Sequence, residues 1–254
     1  MAIYEVFHGL VLRETLSKEA DKILTVLTAE KGKLTVIARG ARRKNSRIAA
    51  AAELYVYSEM TAYESHGYMM LTEAATKELF PGLRADVEAL SLANYFAELT
   101  EAVSGEGEDS SLLLQHLLNA FYALGELKKE PQQVKAAFEM RLMTLAGFAP
   151  LLDRCMVCGE GVEEGAAFDL LGGGLLCPVC AKERGAAALS PASLAALRHS
   201  TTAPAKKLYA FALEGEALAE TASLAERYTL SQMDRRFSAL DFYKSMKTTT
   251  IGNI

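Results

Sequence analysis

The sequence contains none of the short motifs that mark the common catalytic and nucleotide-binding sites. It has no G-x-S-x-G, no H-E-x-x-H and no Rossmann fingerprint, and its glycines at 172–174 are not followed by the G-K-[S/T] of a phosphate-binding loop. The four histidines are scattered, and no two have metal-ligand spacing: His8, His66, His116 and His199. The sequence offers no recognisable catalytic residues, so we expect a protein that is not an enzyme.

Long apolar runs are also missing. No stretch of about eighteen apolar residues occurs, and the first ten residues do not combine a basic region with an apolar one as a secretory leader does. The composition, 50% hydrophobic and 23% charged, is that of an ordinary globular protein. We therefore expect a cytoplasmic protein with no membrane partner, in which thiols are reduced.

Cysteine is scarce, with four in the chain, but all four fall into one pattern. Two C-x2-C pairs, Cys155 with Cys158 and Cys177 with Cys180, are separated by eighteen residues. This spacing predicts a structural zinc ion bound by four thiolates, with no open position for a catalytic water. Two disulfides, or one redox-active pair, are the alternatives.

The net charge of −5 conceals a strong segregation of sign. Between residues 31 and 52 there is no acidic residue, and the rest of the chain carries 20 basic against 32 acidic residues, a net charge of −12. The segment itself contains seven basic residues: Lys31, Lys33, Arg39, Arg42, Arg43, Lys44 and Arg47. Such a cluster favours a polyanionic partner, although most charge runs are solvated loops without a ligand.

Residues 1–80 have the alternation and composition of short β-strands. An alternating run over Val6–Leu12 is followed by four β-rich segments: Ile23–Thr28, Leu34–Ala38, Leu54–Tyr57 and Tyr68–Leu71. Five strands are too few for a sandwich and predict a small closed barrel of the OB or SH3-like kind. The alanines at 49–52 could instead make the segment before the fourth strand helical.

After Pro81 the apolar spacing becomes helical. Stripes at Leu92–Val103, Leu114–Leu124 and Val134–Leu145 predict three helices, and further helices are expected near residues 190–197, 215–230 and 234–247. The fold class expected is α+β: an N-terminal five-stranded barrel over residues 1–80, then an all-α domain over 81–254 with a zinc ribbon inserted at 150–185.

The basic residues 39–47 follow the third predicted strand. On an OB barrel this position lies beside the face that binds single-stranded nucleic acid, where Arg and Lys would neutralise phosphates. Tyrosines that could stack on bases, or simply belong to the core, are Tyr55, Tyr57, Tyr63 and Tyr68.

Four segments together resemble the RecO family of DNA repair and recombination mediators. They are the N-terminal segment Leu10–Lys22 ending in Asp21-Lys22, the run K-G-x-L-x-V-I-A-R-G-A-R-R at Lys31–Arg43, the run F-E-x-R-L-x4-G-F-x-P-x-L-x2-C-x2-C at Phe138–Cys158, and R-R-F-S-A-L-x-F at Arg235–Phe242. The resemblance covers nearly the whole chain, and it is the combination that is specific.

The resemblance implies an OB-fold domain, a helical domain with a zinc ribbon, and no enzymatic turnover. It also implies a bacterial protein associated with the nucleoid. Members of the family bind single- and double-stranded DNA, anneal complementary strands, and work with RecR to load recombinase on DNA coated by single-strand-binding protein. The acidic, hydrophobic C-terminal tail of that protein contacts the helical domain, where Lys135 and Arg141 are our candidates.

Two other functions fit parts of the pattern. A zinc-ribbon factor of transcription or ribosome assembly would use the basic segment on RNA or protein. A thiol oxidoreductase would use one C-x2-C pair, which a tightly bound metal would exclude.

Overall fold

The computed structural model describes residues 3–251, and they form two compact units. One unit consists of residues 3–126 with 239–251, and the other is Leu127–Ser238. None of the helices within these described residues combines the length and the apolar character needed to span a bilayer. Whether residues 1–80 and 81–254 fold independently, as the predicted domain division implies, stays a prediction.

The first unit contains a closed five-stranded barrel. Its strands are β1 (Tyr4–Ser17), β2 (Asp21–Thr28), β3 (Lys33–Ala38), β4 (Tyr57–Ser65) and β5 (Tyr68–Glu78). They are ordered β1-β2-β3-β5-β4, and β1 pairs with β4 to close the sheet. All pairs are antiparallel except β3 with β5. This is the OB fold, which confirms the predicted barrel.

The alternation in the strands fills the barrel as predicted. Leu24 and Val26 of β2 and Val36 of β3 have no exposed surface, and they pack in one core cluster with Val11 and Met60. Strand β1 pairs with β4 through its first half and with β2 through its second half. Its register with β2 shifts between Val11 and Arg13, the kind of bulge that bends a barrel strand.

The predicted fourth strand, Leu54–Tyr57, was wrong. Residues 50–52 form a single 3-10 turn, which realises the helical alternative, and β4 begins at Tyr57 and continues to Ser65. Tyr55 lies in the connection with a φ of +61°, a conformation that no strand residue adopts. The apolar residues that suggested a strand are instead buried in a connection, as Tyr55 is, with 5% of its surface exposed.

Helices make up most of the remaining chain. They are α1 (Pro81–Arg84), α2 (Val87–Val103), α3 (Ser111–Gly125), α4 (Pro131–Leu145), α5 (Pro178–Arg184), α6 (Pro191–Thr202), α7 (Gly215–Met233) and α8 (Ser238–Ile251). The predicted stripes lie largely in the core, as in α3, where Leu114, Leu117 and Phe121 are buried. The last helix begins at Ser238 and not at Asp234, because Asp234 has a φ of +45° and ends α7.

In the second unit, α4 packs against α6 and α7, and a small ribbon carries the cysteines. The ribbon strands are β6 (Leu151–Cys155), β7 (Ala167–Asp169) and β8 (Gly174–Leu176), in the order β6-β8-β7. The turn between β7 and β8 falls at the glycines predicted to form it, and Gly173 has a φ of +70°. The predicted cysteine ribbon inserted among helices is therefore confirmed.

Candidate metal centre and nucleic-acid interface

The four cysteines meet at one point of the ribbon. Their sulfur atoms all lie within 4.8 Å of one another, and Sγ of Cys158 is 3.7 Å from Sγ of Cys177. Four sulfurs at about 2.3 Å from a tetrahedral metal ion are about 3.8 Å apart, so the spacing fits a single ion. No S–S bond joins any of the four thiols. Cys155, Cys158, Cys177 and Cys180 could therefore hold one metal ion.

Local backbone geometry explains how each pair converges. Cys155 ends β6, and its carbonyl accepts the N–H of Gly159 at 2.9 Å, which closes a tight turn around the first pair. Gly159 adopts a φ of +81°, which strongly favours glycine. The second pair opens α5: Cys177 is its N-cap residue, and Cys180 lies in its first turn.

The thiols strongly influence one another's ionisation. The backbone N–H of Cys158 is the largest cause of a lowered pKa of Cys155, to about 6. Hydrogen bonding to Cys177, then burial, raises the pKa of Cys180 to about 12. One thiolate thus forms easily and opposes the ionisation of its neighbours. A bound cation would remove that opposition, because it favours the thiolate form of every ligand.

A second candidate site is the connection from β3 to β4, residues 39–56, which we call the basic loop. Five of the basic residues predicted to bind DNA lie on it with exposed side chains: Arg39, Arg42, Arg43, Lys44 and Arg47. Within the part of the chain that the structure describes, no ion pair joins any of the five to a carboxylate. Their charges are available to an anionic ligand.

The start of the basic loop is fixed against the turn between β1 and β2. The N–H of Gly40 donates to Oδ1 of Asp21 at 2.8 Å, and the N–H of Arg42 donates to the carbonyl of Ala20 at 3.0 Å. Arg42 also donates from Nη1 to the carbonyl of Glu19 at 3.2 Å. Ala41 is buried between these contacts, so the loop leaves the barrel in a defined direction.

Lys31 and Lys33 lie apart from the other five. Lys31 precedes β3 and Lys33 is its first residue, whereas Arg39 follows it, and six residues of extended strand span about 20 Å. Lys31 forms an ion pair with Glu5, and Nζ of Lys33 donates to the carbonyl of Glu101 at 3.1 Å. The seven residues predicted as one site therefore occupy two ends of a strand.

One basic residue near the loop was missed from sequence. Lys18 is exposed in the β1–β2 turn, which contacts the basic loop through Glu19 and Ala20. It lies outside the acid-free segment and beside Glu19, so charge runs did not mark it. Its φ of +50° indicates a tight turn, which the adjacent Ser17 could have suggested.

The predicted tyrosines differ in accessibility. Tyr55 is buried, its hydroxyl is hydrogen-bonded to Oδ1 of Asn94, and burial raises its pKa well above the usual value. It belongs to the core and cannot stack on a base. Tyr68 is 49% exposed, and the ring of Tyr63 packs edge-on against Tyr4 with centroids 5.6 Å apart.

The two predicted partner-binding residues have different surroundings. The side chain of Lys135 is 4% exposed, and its ammonium group is 2.8 Å from Glu139 and 2.9 Å from Glu226. It cannot offer its charge to a partner because two carboxylates enclose it. Arg141 is half-buried and donates to the carbonyls of Ser200 and Ala203.

Comparison with known proteins gives one consistent result. A family model described as Recombination protein O N terminal matches residues 1–80, and one described as Recombination protein O C terminal matches residues 84–241. The chain is 32% identical to the DNA repair protein RecO of Symbiobacterium thermophilum, over 98% of this chain and 99% of that protein. It is 30% identical to the protein of the same name from Acetivibrio thermocellus, over 94% and 95%. It is 36% identical to the DNA repair protein RecO of Heliobacterium modesticaldum, over 78% of this chain and 74% of that protein.

Proposed function

The chain belongs to the RecO family of DNA repair proteins, and from that premise we propose that it is a DNA-binding recombination mediator that anneals complementary strands. The observation that carries the proposal is the basic loop. Five exposed cationic side chains, without a carboxylate partner among the described residues, extend from one end of an OB barrel. Phosphate backbones are the ligands that such a surface binds, whatever the sequence of the bases.

Annealing requires no catalytic residue in this proposal. Two DNA strands repel each other through their phosphates, and a cationic loop that contacts both backbones lowers this repulsion. The bases stay free to pair because the loop contacts phosphates and leaves base edges uncovered. Single- and double-stranded DNA are both ligands on this view. Arg39, Arg42, Arg43 and Lys44 carry most of the contact. Lys31 and Lys33 have less support because they lie at the other end of β3, where Lys31 is paired with Glu5 and Lys33 donates to the carbonyl of Glu101.

We propose zinc as the ion of the cysteine centre. Four thiolates in tetrahedral spacing are the ligand set of structural zinc sites, and with all four bound no coordination position is left for a substrate. Bound zinc would supply a cross-link among β6, β8 and α5. That cross-link compensates for a ribbon whose β7 and β8 have only three residues each. The ion has a scaffolding role and no part in binding DNA.

Two protein partners complete the proposal: RecR, and the C-terminal tail of single-strand-binding protein. Family membership supports both. Lys135 does not bind the acidic tail in this proposal, because its ammonium group is enclosed by Glu139 and Glu226. Arg141 is the candidate on the helical unit. With these partners the protein would help to load recombinase onto coated single strands.

A strand-annealing assay tests the function directly. Complementary oligonucleotides, one with a fluorophore and one with a quencher, are mixed with the protein at several salt concentrations, with and without single-strand-binding protein. We expect faster annealing than without protein, and an acceleration that declines as salt rises, because phosphate contacts are screened. Binding that favours RNA over DNA of the same sequence, with no acceleration of annealing, would contradict the proposal.

A further inference from the structure

We propose that Lys22 is a positioning residue for DNA binding: its buried ammonium group fastens the C-terminal end of the basic loop to the barrel and so keeps the loop's arginines in place. The inference rests on the proposed role of the loop in binding DNA. Lys22 itself touches no ligand in this proposal, since its side chain is 6% exposed.

Lys22 is held by three acceptors from two separate parts of the chain. Its Nζ donates to a carboxylate oxygen of Glu14 at 2.7 Å, in the neighbouring strand β1. It also donates to a carboxylate oxygen of Glu53 at 2.8 Å and to the carbonyl of Ala52 at 3.2 Å, and both residues belong to the basic loop. The ammonium group thus joins β1, β2 and the loop at a single point.

Lys22 and the adjacent Asp21 bind opposite ends of the basic loop. Asp21 accepts the N–H of Gly40 at the start of the loop, and Lys22 binds Ala52 and Glu53 near its end. Consecutive residues of a strand point to opposite sides, so the two anchors hold the loop from both sides of β2. Four of the five cationic residues lie between these anchors: Arg42, Arg43, Lys44 and Arg47.

A loop of this length needs such anchors if its charges are to act together. Residues 39–56 contain one 3-10 turn and no strand, and long connections without regular structure are the mobile parts of a protein. An unanchored loop would have to become ordered when DNA binds, and this ordering would lower affinity. With both ends fastened, the ordering has already occurred during folding.

The charge state of Lys22 is suited to this role. Burial lowers its pKa, but the hydrogen bonds and charges of Glu14 and Glu53 outweigh burial and leave the pKa above the usual value. The ammonium form therefore persists at neutral pH. A buried ion pair adds little stability compared with apolar residues of similar size, and its best-attested effect is to specify one arrangement of the chain.

The test compares Lys22→Met with Lys77→Met. Methionine is similar in length to lysine but cannot bind the two carboxylates. Lys77 is an exposed barrel lysine paired with Glu59, so its replacement removes the same charge without removing any contact of Lys22. Amide hydrogen exchange by NMR is read at Ser46 and Ala52, whose N–H groups are hydrogen-bonded on the C-terminal side of the anchor at Asp21, and at Leu24 and Val26 within β2. The affinity for single-stranded DNA and its salt dependence are measured on the same samples.

In Lys22→Met we expect exchange at Ser46 and Ala52 to accelerate at least about tenfold while the β2 amides stay protected. The magnitude of the slope of log affinity against log salt should decrease from about 3 towards about 1.5, because fewer cationic residues reach phosphates together. Lys77→Met should leave loop exchange and slope unchanged. Lys22→Arg, which can bind both carboxylates, should restore loop protection and slope together, and a purely structural role would not couple the two.

Three results would overturn the proposal. The first is equal acceleration at the loop and in β2, which would mean general destabilisation of the barrel. The second is unchanged loop exchange, and the third is a mobile loop with unchanged DNA affinity. If Lys22→Met does not fold, Glu53→Gln replaces it, since that side chain is 48% exposed and its change should give a smaller effect in the same direction. Failure of the DNA-binding proposal can be told apart from failure of the anchoring proposal. If the loop does not bind DNA, neutralising Arg42 and Arg43 leaves the affinity for DNA unchanged. The hydrogen-exchange rates still show whether Lys22 anchors the loop.

Discussion

Neutralising Arg42 and Arg43 together is the sharpest test of the basic loop. Both side chains are exposed, and the one hydrogen bond formed by either guanidinium group runs from Arg42 to the carbonyl of Glu19, among the described residues. Glutamine at both positions keeps the side chains polar and removes two positive charges. The loop's main-chain anchors, such as the N–H of Gly40 on Asp21, are untouched. The fold should therefore persist while the charge on the loop changes.

The salt dependence of binding gives the expected magnitude. If Arg39, Arg42, Arg43 and Lys44 contact about four phosphates of a single strand, the slope of log affinity against log salt is about −3. Raising salt from 50 to 200 mM then lowers affinity about 50-fold. With two of the contacts removed the slope is about −1.4, and the same change of salt lowers affinity only about sevenfold.

Fluorescence anisotropy with a labelled single-stranded oligonucleotide measures both quantities. The matched control neutralises Lys206 and Lys207, two exposed lysines in the second unit, and changes the net charge by the same amount. We expect the control to keep the wild-type slope. If the Arg42 and Arg43 variant also keeps it, the loop does not contact phosphates and the reasoning from its exposed charge is wrong.

Three further predictions concern the second unit. Cys158→Ser should lower the zinc content from about one ion per chain towards zero, measured by inductively coupled plasma mass spectrometry, without changing the DNA salt slope, because the metal is a scaffold. Lys135→Met should lower the free energy of unfolding by about 3–5 kcal/mol in urea titrations, since it leaves the fully buried Glu139 without its ammonium partner. Gly173→Ala should cost about 1 kcal/mol or more in the same titrations, because the residue has a φ of +70° and an added methyl group would lie 3.1 Å from the hydroxyl of Tyr228.

Each of these predictions has a distinct contrary result. Full zinc content in Cys158→Ser would mean that three cysteines suffice or that the metal lies elsewhere. Wild-type stability in Lys135→Met would mean that the carboxylates around it become protonated or hydrated at little cost. For Gly173→Ala, unchanged stability would show that the ribbon turn relaxes away from Tyr228.

The sequence specified the barrel and the cysteine ribbon because both rest on local patterns. Alternation over β1 and β2 places Leu24 and Val26 inside the barrel whatever their distant neighbours are. The cysteine pairs carry their own geometry, since a two-residue gap followed by Gly159 closes a tight turn. The error at Leu54–Tyr57 has the same origin, because a short apolar run fits a strand and a buried loop equally well.

Distant contacts decided what local patterns could not. Lys31 belonged to the same acid-free run as Arg43, yet its charge is paired with Glu5, which is 26 residues away and brought near by the barrel. Lys135 was a reasonable surface candidate until helix packing enclosed it with Glu226. The order of charges along the chain does not show which carboxylates folding brings near each cation. Counting charges in the sequence therefore overestimates the number of cationic side chains that are free to bind.

The pairing pattern also determines where a polyanion can dock. The chain has a net charge of −5, and the residues outside 31–52 have a net charge of −12. Lys22, Lys31 and Lys77 each form an ion pair with a carboxylate, whereas the five cations of the basic loop form none with the described residues. Beyond a Debye length of about 8 Å the acidic remainder is screened, so it does not cancel the attraction at the loop. The same remainder repels phosphates wherever they approach its own surface. We therefore expect DNA to contact the protein first at the end of the barrel that carries the basic loop.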